Sequence, residues 1–346
     1  MPLLNSIKKQ SVEAYLSSQR ITPVNSVQER LTRTHIIPHL SSIILDFNLL
    51  REAIDMAVND FSLRQYDAPI ENLQTPSIDT PHVFYGPMLQ AAVDPFLKRL
   101  SPENLTNYPI GSCTTITRMV WRLLTKESFL PQTEGFSRFQ TFISSGGIFQ
   151  VIWGAYKNMY FQTAFQAGDY FFDISNDTVS VHNPKIDHAL LRDSGFHDIH
   201  SYKEYMGIKA DYHQVTPFLN NCFPIVFPYF PSFVRSKTKG ALAVDTNMYM
   251  ARLNISTRFQ TMFDALDAGS LGNPLDKENL QQISTSIGRM SGNKNAMDLL
   301  KFRIMDHDDM VRLLRDAACL DPPEHVERLK KAEKICGFLN HVWAKS

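Results

Sequence analysis

The chain has 346 residues, 43% of them hydrophobic and 20% charged, and its 35 Lys and Arg balance 35 Asp and Glu. This composition excludes wholesale disorder and suits either one large domain or two modest ones, since single cores stop growing near about 250 to 300 residues. Balanced charge also excludes the global positive field behind non-specific nucleic-acid binding.

The opening MPLLNSIKKQSVEAYL reads as an amphipathic helix and not as a secretory signal, because its lysines follow a very short apolar patch. No run approaches the roughly 18 unbroken apolar residues of a membrane span, so the expected compartment is the cytoplasm. Delivery by a secretion system without a cleaved signal fits the same start. From Leu40, the residues Leu40, Ile43, Ile44, Phe47, Leu50 and Ile54 recur at helical spacing and predict a core-facing helix. Pro69, Pro76 and Pro81 then rule out a continuous helix, and a shorter one is expected from about Pro87 to Leu100.

The run NYPIGSCTTITRMVWRLL holds a turn at Pro109 and Gly111, followed by one apolar helix face of Ile116, Met119, Val120, Leu123 and Leu124. Cys113 is placed at the start of that helix. Unpaired N–H groups and the positive end of the helix dipole gather there, and both favour the nucleophilic thiolate. Partial alternation within Ile148–Tyr156, Tyr160–Gln166 and Tyr170–Ile174, with a turn at Ala167-Gly168-Asp169, predicts antiparallel strands. A further short strand is expected at Thr178–His182, ended by Asn183-Pro184.

Beyond it the chain reads as irregular, and Phe218–Phe233, with three prolines among its aromatics, suits a buried loop or the wall of a groove. From Asn247 the pattern is helical over Met248–Leu266, Lys277–Met290, Asn295–Ile304, Asp309–Ala318 and Glu324–Trp343. The expected fold is α+β: a helical N-terminal segment and an antiparallel sheet on a cysteine-bearing helix, then an all-helical C-terminal part. The expected domains are 1–240, with the cysteine site, and 241–346, a helical bundle.

A cysteine opening a helix ahead of antiparallel strands resembles the papain-like and transglutaminase-like cysteine enzymes over about Asn107 to Asp177. The resemblance implies acyl transfer at an amide by a protease, deamidase or transglutaminase-like activity, with a protein or peptide as substrate. It implies Cys113 as nucleophile, Asn107 as oxyanion donor and Asp173, in GDYFFDIS, as the residue that orients a histidine base. Where that base belongs, between Asn158 and Phe165, the sequence has Tyr160 and Gln162, so the nearest candidate base is His182. The plainer alternative makes Cys113 a packed side chain, with Gln162 and Asp173 hydrogen-bonded locally.

Other groupings match no ligand pattern. His182, His188, His197, His200 and His213, near Asp187, Asp198 and Asp211, lack metal-site spacing, and Asp306-His307-Asp308-Asp309 reads as a helix cap. With no CxxC pair among Cys113, Cys222, Cys319 and Cys336 and no phosphate-binding glycine motif, neither metal nor cofactor is expected. Arg235, Lys237 and Lys239 read as a solvated loop, and no nucleic-acid partner is expected. The closing helix is amphipathic and basic, which suits either completing a bundle or peripheral contact with a membrane or partner. The competing function is therefore a non-catalytic scaffold that binds a partner through Phe218–Phe233 and the C-terminal helices.

Overall fold

A computed structural model of the chain describes residues 49–50, 52–55, 109–124, 134–289 and 301–343. The architecture is α+β, with mainly antiparallel strand pairing in two separate sheets and helices dominating the C-terminal part. The chain divides into two compact units, Met1–Lys157 with Phe161–His197, and Asn158–Tyr160 with Asp198–Ser346. The boundary expected at 240 falls within the second unit, between two paired strands. The helices expected at the N-terminus and over Pro87–Leu100 lie outside the described residues. Leu50 and Ile54 of the stripe from Leu40 are described, and both are fully buried.

In the first unit, α1 (Cys113–Leu124) and α2 (Glu134–Ser144) precede β1 (Phe149–Tyr156), β2 (Tyr160–Ala167), β3 (Tyr170–Asp173), β4 (Asp187–Leu190) and β5 (Phe196–His197). These strands form a sheet in the order β4-β3-β2-β1-β5. The tight β1–β2 connection places Lys157 and Asn158 at φ 55° and 57°, the left-handed pair whose twist matches flanking antiparallel strands. Strands alternate their side chains, so Phe149 and Phe165 share a face with Thr163. That face meets the helices: Trp121 of α1 stacks on Phe149 at 5.1 Å and Phe165 at 5.9 Å, and Phe139 of α2 meets Phe149 edge-on at 4.9 Å. Strand β2 is buried along its whole length, including Gln162 and Gln166 on the other face.

Thr178–His182 is not a strand. A 3-10 turn at Asn176–Thr178 leads into coil, and the strand that pairs with β3 is β4, with Asp173 opposite Asp187. Two features displace the pairing. Ser175 and Thr178 close a turn through the Thr178 hydroxyl on Ser175 O at 2.6 Å, and the Asn176 amide donates to Pro184 O at 3.0 Å.

The second unit is built on the sheet β8-β7-β6-β9, with β6 (Val215–Leu219), β7 (Ser232–Ser236), β8 (Leu242–Val244) and β9 (Asn273–Pro274). Its helices are α3 (Tyr202–Tyr212), α4 (Met248–Ser256), α5 (Gln260–Asp267), α6 (Lys277–Arg289), α7 (His307–Ala318) and α8 (Pro322–Trp343). The stretch from Asn183 to Asn247 is thus more regular than its sequence predicts. Helix α3 starts on Ser201, whose hydroxyl accepts from Glu204 N. Strand β6 tolerates Pro217 because its parallel neighbour β9 reaches only Phe218 and Leu219.

Residues 220–231 form a folded plug inside this unit. Asn220 bridges it, with Nδ2 donating to Phe230 O at 3.1 Å and Oδ1 accepting from Phe223 N at 3.1 Å. Phe223, Phe227, Tyr229, Phe230 and Phe233 are all at most 2% exposed.

The single helix expected over Met248–Leu266 is two. The chain breaks at Arg258 and Phe259, with φ 48° and 64°, and the turn sends the Phe259 ring into the core against Tyr229 and His325. Asn254, fully buried, fixes the break by donating to Tyr202 Oη at 2.8 Å and Pro228 O at 3.2 Å. The Asn295–Ile304 helix falls mostly outside the described residues, and 301–304 are not helical. Helix α8 packs Leu329, Ala332, Ile335, Cys336, Leu339 and Trp343 inward, and Asn340 binds β8 by accepting from Val244 N at 2.8 Å and donating to Val244 O at 3.3 Å.

Candidate functional site around Cys113

The start of α1 is built as its sequence implies. Ser112 N donates to Pro109 O at 3.0 Å, Gly111 takes φ 71°, and Ile116 N donates to Ser112 O at 3.0 Å, which makes Cys113 the first helical residue. Ile116 and Val120 are fully buried beneath it.

What faces Cys113 is a threonine. Its Sγ lies 3.9 Å from Thr163 Oγ1 on β2 and 3.9 Å from Thr114 Oγ1, and those two hydroxyls are 2.8 Å apart. Thr117 extends the seam by donating to Thr163 O at 3.0 Å. Among the described residues, no hydrogen bond joins Cys113 to any histidine. His182 is exposed, and its backbone N–H donates to Ser180 Oγ at 3.4 Å. His188 stacks on Phe172 at 6.0 Å. Asn107 lies outside the described residues.

Electrostatics at the sulfur run against a thiolate. Burial pushes the Cys113 thiol up from its ordinary value, the nearby Asp173 carboxyl pushes it further, and hydrogen bonds from Thr163 and Thr114 offset only part. Burial of the sulfur is the largest of these effects and outweighs the hydrogen bonds, so the thiol stays raised although the residue as a whole is half-buried.

Asp173 ends β3 as expected and is fully buried, but its partner is an amide. Gln162 Nε2 donates to both carboxyl oxygens at 2.7 Å, and Ser175 donates to Oδ1 through its N–H at 2.9 Å and its hydroxyl at 3.3 Å. Burial without a cation raises this carboxyl to about 7, with the hydrogen bonds from Ser175 and Gln162 opposing and Asp187 reinforcing the shift. Asp187 is the cross-strand neighbour and accepts from Tyr156 Oη at 3.0 Å.

Of the four residues singled out by sequence, the structure therefore sets Cys113 and Asp173 near the same end of the first sheet and leaves His182 at the surface. Sequence reasoning missed Thr163, whose signal is its parity: it shares with Phe161 and Phe165 the face that receives α1. Of the aromatic segment read as a binding loop, Phe223, Phe227, Tyr229, Phe230 and Phe233 are buried and Phe218 is half-buried.

Among the described residues, no group of three His, Cys, Asp or Glu is placed to hold a metal ion, and no helix is long and apolar enough to cross a membrane. Compared with known proteins, the chain matches no family model, no curated protein and no solved structure.

Proposed function

We propose that this chain is a non-catalytic interaction protein whose first unit keeps the element order of a cysteine enzyme without its acid–base chemistry. The observation that carries this reading is the Thr163 hydroxyl facing Cys113 Sγ, on the strand where a base would stand. A threonine hydroxyl cannot take a thiol proton at neutral pH, and a thiol kept protonated by burial is a poor nucleophile.

With the aromatic plug inside the core, the surface best suited to a partner is the outer face of α8. Lys330, Lys331 and Lys334 are exposed there beside Phe338, which is 38% exposed, while the opposite face of the helix is fully packed. A cationic stripe around one aromatic ring fits an acidic protein segment, because lysines supply charge and the ring supplies a desolvated anchor.

The test compares partner capture by three full-length forms. Equal capture by wild type and Cys113→Ala, together with loss in Lys331→Glu/Lys334→Glu, supports the reading. Capture that needs Cys113, or that survives the charge reversal, overturns it, as does a covalent adduct formed between Cys113 and an amide substrate.

The acyl-transfer reading rests on one favourable observation: Cys113 does open a helix ahead of the strand that carries Asp173. It requires a base to come to Sγ from outside the present contacts.

A further inference from the structure

The buried carboxyl of Asp173 is joined to the start of α1 by a continuous chain of hydrogen bonds. Asp173 Oδ1 accepts from Ser175 N at 2.9 Å and Ser175 Oγ at 3.3 Å. Ser175 O in turn accepts from Thr178 N at 3.0 Å, Thr178 Oγ1 at 2.6 Å and Gln162 Nε2 at 3.2 Å. Thr178 O closes the chain by accepting from Gly111 N at 2.9 Å, two residues before Cys113.

We propose that Asp173 is a proton-operated latch, and that gain or loss of its proton is passed through Ser175 and Thr178 to the turn at Pro109–Ser112 that sets the start of the Cys113 helix. This goes beyond the proposed function and does not rest on it.

Geometry supplies both states. As an acceptor for the Gln162 amide and for Ser175, the carboxyl is arranged for its ionised form, and Gln162 Oε1 is left buried with no hydrogen-bond partner. A protonated carboxyl carries an O–H donor, and the idle Oε1 is the nearest acceptor that rotation of the Gln162 amide can offer it. That rotation withdraws Nε2 from Ser175 O, so the carbonyl holding Thr178 changes its donors with the charge on Asp173. Buried polar groups cost about 1 to 3 kcal/mol when left unpaired, so the amide orientation must follow the proton.

The surrounding charges leave the proton to Asp173. Asp187 faces it from β4 and is itself bonded to Tyr156 of β1, and on the turn Asp177 is held by Lys185 at 3.1 Å. Among the described residues no cation contacts the Asp173 carboxyl. Burial, opposed by Ser175 and Gln162, brings its titration to about 7, inside the range a cell can vary.

The test is nuclear magnetic resonance on the full chain with ¹⁵N-glycine, following the amide of Gly111 from pH 5 to 9, with Gly240 of the second unit as internal control. Expected is a single Gly111 transition with its midpoint within about one unit of 7, a flat Gly240 signal, and loss of the Gly111 transition in Asp173→Asn. Should Asp173→Asn fail to fold, Gln162→Met serves, and it should move the midpoint upward because the amide favours the ionised carboxyl. A Gly111 signal flat across the range in wild type, a transition that survives Asp173→Asn, or a midpoint unmoved by Gln162→Met overturns the proposal.

Discussion

Gln162 and Asp173 form a closed pair in the first sheet: one amide nitrogen reaches both carboxyl oxygens at 2.7 Å, and neither side chain is exposed. Replacing Gln162 by Leu keeps most of the volume and removes the donor. Hydrogen bonds to charged groups contribute about 1.5 to 3 kcal/mol, so Gln162→Leu should destabilise the first unit by about that much at pH 8. At pH 5, where Asp173 is protonated, the loss should be smaller. Urea unfolding at the two pH values measures both numbers.

The raised Asp173 carboxyl makes the stability of this unit depend on pH in a defined direction. Its folded value of about 7 exceeds the ordinary 3.8, so the folded state binds the proton more tightly than the unfolded chain. The stabilisation is complete below the unfolded value and is lost as pH rises through about 7, an overall effect of about 4 kcal/mol. Thermal unfolding should show a lower midpoint at pH 8 than at pH 5. Asp173→Asn should flatten that dependence and equal or exceed wild type at pH 8.

Thiol labelling separates the four free cysteines. Cys319 is exposed at the end of α7, Cys222 and Cys336 are buried, and Cys113 is half-buried with its thiol pushed up. A mild electrophile at pH 7 should label Cys113 at least about tenfold more slowly than Cys319. Thr163→His places an imidazole where the hydroxyl now meets Sγ and should raise the Cys113 rate about tenfold. No change in that variant, if it folds, would show that strand position 163 is not a route to the sulfur.

In the second unit, the fully buried Asn254 joins α3, the aromatic plug and the α4–α5 break through hydrogen bonds. Asn254→Ala leaves the Pro228 carbonyl and the Tyr202 hydroxyl short of a donor in a sealed site. The expected cost is about 2 to 4 kcal/mol, read by chemical denaturation with tryptophan or tyrosine emission.

Gly272 enters β9 at φ 97°, and a Cβ built on it would lie 2.5 Å from Pro217 O. Both the backbone angle and the contact require glycine. Gly272→Ala should detach β9 from β6 and cost more than about 1 kcal/mol, seen as faster exchange of the amides that pair β9 with β6.

The parts of this fold that the sequence discloses are those governed by local rules. Pro109, Gly111 and the apolar spacing after Cys113 mark α1, and alternation around Gly168 marks β1 to β3. Helix α3 carried the legible signal Ser201-Tyr202-Lys203-Glu204, a capping sequence hidden by apolar residues spread around the helix. Strand β6 was obscured by Pro217, which is permitted because β9 begins only opposite Phe218. The α4–α5 break was not legible, since Arg258 and Phe259 take left-handed angles for the sake of a distant pocket formed by Tyr229 and His325. The site divides the same way. Cys113 and Asp173 could be placed on their elements, but that Thr163 meets the sulfur depends on how α1 lies across β2, a tertiary fact.

The bond between Asn340 and the backbone of Val244 covers part of the edge of the second sheet. An outermost strand with free amides and carbonyls invites another chain to add itself, and here one side-chain amide imitates the missing neighbour by engaging both groups of a single residue. Replacing Asn340 by Ala would uncover the edge of that strand, and the altered chain would be prone to stack edge on edge.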